Sequence, residues 1–269
     1  RRVLSLSALV AQTSRGESPP AGSVCITFDD GYLDNLSIAA PILAKYRLPA
    51  TLFLATGYVQ RRETQWADVL YSLIFRRTAN RLSLPELGLP IVDLESAIQN
   101  AAACRLLHRS LLEAEHEQRT QWFREIEYQL KPVGTEPRVT MNWDEAHALL
   151  TRYPLFEIGG HTRDHIDLRT HTGEVARGQI DGCAADLRRE LGLEPQHFSF
   201  PYGRWRDSTR ALVKASGWHS AVGAGDDLRI GRESDQFAMP RIEAPRVMAD
   251  FRFKTSGAFP GALLLLGLR

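Results

Sequence analysis

Two adjacent carboxylates, Asp29 and Asp30, end the apolar run in "CITFDDGYLDN" (25–35), and Gly31 follows at once. Neighbouring carboxylates repel, so the pair needs solvent or a cation. An exposed turn is one reading, since Asp-Gly is a common turn dipeptide. A pair kept for chemistry is the other. A second cluster, "GGHTRDH" (159–165), sets His161 and His165 four residues apart. On a helical turn or in a short loop, two imidazoles at this spacing suit zinc or a similar divalent ion. Two surface histidines after a turn are the plainer reading. A third cluster, "FPYGR" (200–204), holds a Pro-Tyr-Gly turn. Such a turn can aim a backbone N–H into a pocket and stabilise an oxyanion, or it can be structural with a packed tyrosine.

The elements that must position these clusters read as alternating strands and helices. Apolar strand-type runs are "VCITF" (24–28), "ATLFLAT" (50–56), "LFEI" (155–158), "HFSF" (197–200) and "HSAV" (219–222). Helical patterns lie between them at 35–46, 142–153, 173–191 and 207–217. Asn142 and Glu145 have capping-box spacing, and Asp207 is an N-cap candidate. Val175, Ile180, Ala184, Leu187 and Leu191 fall near one helix face, which Gly192 closes. This alternation predicts a parallel α/β sheet or barrel. Residues 61 to about 138 break the rhythm; they read as a helical insertion without a strand pattern.

In parallel α/β folds the C-terminal strand ends gather at one face. "VCITF", "LFEI" and "HFSF" each run into one of the three clusters, so distant segments converge there. A catalytic zinc takes three protein ligands and leaves a place for water. His161, His165 and one aspartate fill that count. The other aspartate is then free to act as a base.

Bulk properties bound the rest. The chain has 269 residues, 43% of them hydrophobic and 24% charged, with a net charge of +1. That is ample for a core, and it supplies no basic field for nucleic acid. Three scattered cysteines, Cys25, Cys104 and Cys183, give neither a disulfide framework nor a thiolate zinc site. No apolar stretch reaches spanning length, so no integral membrane segment is expected. "GALLLLGL" (261–268) reads as a buried helix. Compartment (cytoplasm or cell envelope) and oligomeric state stay open.

The three clusters in this order resemble the polysaccharide deacetylase family, the NodB-homology carbohydrate esterases. "TFDDG", "HTRDH" and "FPYGR" match its motifs, and the likeness extends over about 22–60 and 139–245. The resemblance implies a distorted (β/α) barrel, with residues 1–269 forming one catalytic domain that carries the insertion at about 61–138. It implies Asp29 as the base, with Asp30, His161 and His165 holding one divalent ion. Zinc is expected, and cobalt or nickel is compatible. The Tyr202 N–H becomes an oxyanion donor. The implied reaction is hydrolysis of an N-acetyl group on an amino-sugar-containing glycan by metal-bound water. An O-acetyl esterase, a non-sugar amidase and an impaired carbohydrate-binding module are the alternatives.

Two departures stand out. Ser199 occupies the place of an arginine that orients the base in many members, and Arg241 in "FAMPRIEAPR" is the expected replacement. The C-terminal Leu-His motif that supplies the acid is missing, and His219 reads as a strand residue. Asp164 is either a support for a histidine or a solvated carboxylate. Pro201, Trp205 and Trp218 are expected at the substrate. Trp205 would stack on a sugar ring. Trp218 is either core or an apolar wall for the acetyl methyl.

Overall fold

The computed structural model describes residues 2–87, 89–112, 114, 116–224 and 230–255; "GALLLLGL" lies outside them. In chain order the elements are β1 (Arg2–Val3), α1 (Leu6–Ser14), β2 (Ser23–Val24), β3 (Thr27–Phe28), α2 (Ala40–Lys45), β4 (Ala50–Leu54), α3 (Thr56–Arg61), α4 (Trp66–Arg76), β5 (Arg81–Leu84) and β6 (Leu89–Asp93). They continue with α5 (Ala97–Leu112), α6 (His116–Leu130), α7 (Trp143–Arg152), β7 (Phe156–Gly160), α8 (Gly173–Leu191), β8 (His197–Ser199), α9 (Asp207–Ala215), β9 (Ser220–Gly223), β10 (Met239–Pro240) and α10 (Met248–Thr255).

The chain divides into two compact units, Arg1–Arg62 with Val139–Arg269, and Glu63–Arg138. The first unit holds a six-stranded parallel sheet in the order β3-β4-β7-β8-β9-β10. Within this sheet each strand lies beside the next one in chain order. Parallel crossovers are nearly always right-handed. A sheet wound throughout in one direction therefore curls, and here it forms a half-barrel with β3 and β10 as its edges. The fold is a distorted (β/α) barrel.

Alternation along the strands explains both sides of the sheet. Leu52, Leu54 and Ile158 pack in one core cluster with Ile180, Cys183, Ala184 and Leu187 of α8. On the opposite face of β4, Phe53 joins Val222 and Met239 beneath Leu6, Leu9 and Val10 of α1. A second α1 anchor is polar: the Ser7 hydroxyl lies 2.8 Å from His197 Nε2.

The second unit has a core of its own, which includes Trp66, Leu70, Ile74, Leu107, Leu111 and Ile126. It also corrects an expectation. Residues 61–138 are not helical throughout, because β5 and β6 form an antiparallel hairpin, with Leu82 opposite Val92. "RLSL" buries Leu82 and Leu84 and leaves Arg81 exposed. That two-residue period is too short to stand out between helical patterns.

Smaller differences follow from pairing and capping. "VCITF" is two strands: Val24 pairs with Val3, whereas Thr27 and Phe28 pair with β4. A π-helical turn, Asn35–Ala39, precedes α2. Helix α7 opens with the expected Asn142–Glu145 capping box, and α8 closes on left-handed Gly192. Val175 is exposed rather than core. Arg206, not Asp207, is the N-cap of α9; Thr209 Oγ1 accepts its N–H at 3.0 Å. Among the described residues, no helix is long and apolar enough to cross a membrane.

Candidate active site

Asp29 and Asp30 follow directly on β3, His161 directly on β7, and Pro201 closely on β8. All three exits lie at the C-terminal edge of the parallel sheet. The backbone there is unusual. Among the described residues, seven non-glycine residues have positive φ. Four belong to these clusters: Asp30 (74°), Thr162 (60°), His165 (50°) and Tyr202 (58°). Left-handed backbone costs an L-residue about 1–2 kcal/mol, and such conformations collect at functional sites. Gly31 has φ 79° and sits where an added Cβ would lie 2.8 Å from Leu54 Cδ2. The glycine after the aspartates therefore lets the chain turn against β4 while both carboxylates stay at the strand end.

Three donor atoms converge. Asp30 Oδ1 is 3.3 Å from His165 Nε2 and 3.7 Å from His161 Nε2. One ligand atom from each residue lies within 4.8 Å of the others. Two ligands each about 2.1 Å from a tetrahedral ion are about 3.4 Å apart, so the set has the spacing of a zinc-type site. The tautomer fits as well. His161 Nδ1 lies 2.7 Å from the Ser199 carbonyl oxygen, an acceptor that holds a proton on Nδ1 and turns Nε2 toward the carboxylates, the atom that would ligate an ion when unprotonated. Its ring is 1% exposed, so the orientation is set by packing.

Asp29 stands beside this triangle, its Oδ2 3.7 Å from His161 Nε2. Arg241, just past β10, reaches from one sheet edge to the other. Its Nη1 and Nη2 donate to the two oxygens of Asp29 at 2.7 Å each. Nη2 also donates to Ser199 Oγ at 2.8 Å, and Nη1 to Thr27 Oγ1 at 3.3 Å. Burial opposes ionisation of Asp29. The His161 imidazole and the two Arg241 bonds outweigh it, with His165 adding to them, and hold the carboxyl below its usual range. A small Ser199 side chain leaves this space to Arg241.

The Tyr202 ring meets His165 edge-on at 4.5 Å, and the Arg204 guanidinium lies 5.8 Å from its centroid. Arg204 Nη1 in turn donates to buried Asp167 at 3.0 Å, which ties this turn to the histidine loop. A cleft of about 420 Å³ opens from Asp29 and Asp30 past Tyr32 and Asp34 to Asn35 and Ile38 of the π-helical turn.

Other expected site residues stand elsewhere. Pro201 is buried and starts the 3₁₀ turn, whose shape it sets. Trp218 is 2% exposed, and a Cβ on Gly160 would lie 2.3 Å from its ring. It is core, and its burial leaves no wall for an acetyl methyl. Trp205 is half-buried, with Phe200 at 6.1 Å and the Arg210 guanidinium at 5.5 Å. His219 Nδ1 is engaged by Gln196 Oε1 at 2.8 Å, on the N-terminal side of β9. Asp164 accepts from Gln179 Nε2 at 2.7 Å and pairs with Arg61 at 2.8 Å. Sequence reasoning missed Asp167, Gln179 and Asp186. The one signal was a charge, Asp186, three residues from Cys183 on a helix face that the structure buries.

A parallel half-barrel with such a cluster at its C-terminal edge has the layout of a barrel hydrolase. The sequence profile described as polysaccharide deacetylase matches residues 16–81 and 132–221. The chain belongs to that family. Solved structures share the fold. The deacetylase PplD of Streptococcus pyogenes, in complex with acetate, has a TM-score of 0.58 at 17% identity, over 94% of this chain and 78% of the other. IcaB from Ammonifex degensii gives 0.55 at 17%, over 96% and 82%. A de-N-acetylase from Aggregatibacter actinomycetemcomitans gives 0.54 at 14%, over 94% and 82%. No curated protein sequence matches the chain.

Proposed function

We propose that the protein is a metal-dependent hydrolase that removes N-acetyl groups from an amino-sugar-containing glycan. The carrying observation is Asp29, clamped by Arg241 on both oxygens, beside the triangle of Asp30, His161 and His165. Membership in the polysaccharide deacetylase family supports the glycan, and the de-N-acetylase neighbour supports the amide.

Asp30, His161 and His165 would hold the ion, and zinc suits a donor set of two imidazoles and one carboxylate. Bound there, a divalent ion supplies Lewis acidity to the acetyl carbonyl and lowers the pKa of water. The protein's own groups do the rest. Asp29, kept ionised by Arg241, takes the proton of the attacking water. The Tyr202 N–H, turned by its left-handed backbone, donates to the oxygen on which charge develops. The proton held by Asp29 passes to the leaving nitrogen, and acetate and a free amine result.

The test is acetate release from N-acetylglucosamine oligomers and acetyl esters, with zinc, with chelator and with Asp29→Asn. Chelator-sensitive release that falls at least about 1,000-fold in Asp29→Asn, with zinc affinity kept, is expected. Undiminished release by Asp29→Asn overturns the reading.

A further inference from the structure

The loop that carries both histidines passes through two left-handed residues, Thr162 and His165, and needs a frame. Helix α8 supplies one. Gln179, Gly182 and Asp186 lie at i, i+3 and i+7, on one helix face. Gln179 Oε1 accepts the N–H groups of Arg163 and Asp164 at 3.0 and 2.8 Å. Gly182 lets the Arg163 stem lie against bare backbone; a Cβ there would sit 2.5 Å from Arg163 Cδ. Asp186, 2% exposed, closes the arrangement. Its Oδ2 accepts Arg163 Nε at 3.0 Å and the Thr56 hydroxyl at 2.8 Å, and its Oδ1 accepts Arg189 Nη2 at 2.8 Å.

The first residues of α3 complete the frame. Thr56 N–H donates to the Thr162 carbonyl at 3.1 Å and Gly57 N–H to the Arg163 carbonyl at 2.8 Å. Loop, α3 and α8 thus meet at one buried carboxylate. The bond to Thr56 joins α8 to α3, and the bond to Arg189 stays within α8. Only the bond to Arg163 reaches the loop, between the two histidines.

We propose that Asp186 is a positioning residue for the metal ligands and acts through Arg163. Its buried charge draws the guanidinium inward, and this holds the loop in the conformation that points both imidazoles at Asp30. The proposal rests on the reading of Asp30, His161 and His165 as ligands. Without the pair, the loop relaxes away from its left-handed residues and the donor triangle opens.

The experiment measures zinc affinity of the metal-free protein by competition with a chromophoric chelator. The chains compared are the wild type, Asp186→Asn, Arg163→Met, Arg163→Lys and Arg188→Met. Arg188 is on the same helix but pairs with Glu194 at 2.9 Å, so it serves as a stability control. Asp186→Asn and Arg163→Met are expected to bind zinc about 10–100-fold more weakly. Arg163→Lys should recover part of that loss, Arg188→Met should match the wild type, and excess zinc should restore turnover in the weak binders. A wild type that binds zinc, with variants of equal affinity, overturns the proposal. A wild type that does not bind zinc overturns the ligand reading itself. If Asp186→Asn fails to fold, Arg163→Met decides alone, because it keeps the Asp186 bonds to Thr56 and Arg189.

Discussion

Arg241 holds both oxygens of Asp29. Ser199 stands where many family members place an arginine, and here the guanidinium arrives from the opposite sheet edge. Both its outer nitrogens face the same carboxylate at 2.7 Å. That bidentate fork is specific to arginine; a lysine ammonium offers one point charge. Arg241→Ala should therefore lower kcat about 100-fold, which corresponds to about 2.7 kcal/mol of barrier, with KM little changed. Arg241→Lys should recover only part of the loss. Steady-state kinetics on the preferred glycan oligomer decide it, and an unchanged kcat in Arg241→Ala refutes the role. The meeting of Asp29, Asp30, His161 and His165 was legible because each cluster follows a strand-type run, and parallel strands bring such ends to one edge. The tryptophans were not. Trp218 and Trp205 have the same chemistry, and Trp218 is buried by a neighbour, Gly160, that lies far off in the sequence.

Elements were legible where one physical signal ran their whole length. β4, β7, β8 and β9 are apolar runs, and α7 announces its start through Asn142 and Glu145. The β5–β6 hairpin, the π-helical turn and the split of "VCITF" were hidden, because each depends on a partner that the local sequence does not name. One buried polar group makes an element-scale prediction. His197 on β8 bridges Ser7 of α1 and Ser220 of β9, at 2.8 Å on each ring nitrogen. Burial pushes its pKa from 6.5 down to about 4, against the attraction of Glu157 3.9 Å away and with a small push from His219. The unfolded chain thus binds this proton between pH 6.5 and about 4, while the folded chain does not. Stability is full above the unfolded value and falls as pH drops through that window, by on the order of 3 kcal/mol. Urea unfolding at pH 7 and pH 4.5 should show this loss in the wild type and a smaller one in His197→Gln. Equal losses in the two would rule out His197 as the source.

At the scale of the molecule, the division of the cores matters most. Among the described residues, the cluster around Trp66, Leu70 and Leu107 draws every member from within Glu63–Arg138, and the clusters of the half-barrel draw none from there. Nor does any residue of the donor triangle or its Asp186 frame come from that stretch. The unit's own ends meet, with the Thr64 hydroxyl donating to the Pro137 carbonyl at 3.2 Å, so a few residues can span the gap. Local closure of this kind makes an insertion removable, since loop-closure entropy changes only slowly with length. A chain with residues 65–136 replaced by a short Gly/Ser linker should fold cooperatively and bind zinc within about threefold of the full chain. Acetate release from a single N-acetylated sugar should persist in it. If release from longer oligomers falls while the single sugar is still turned over, Glu63–Arg138 serves long substrates. A linker chain that folds but no longer binds zinc would instead make that unit part of the site's support, against the separation of the cores.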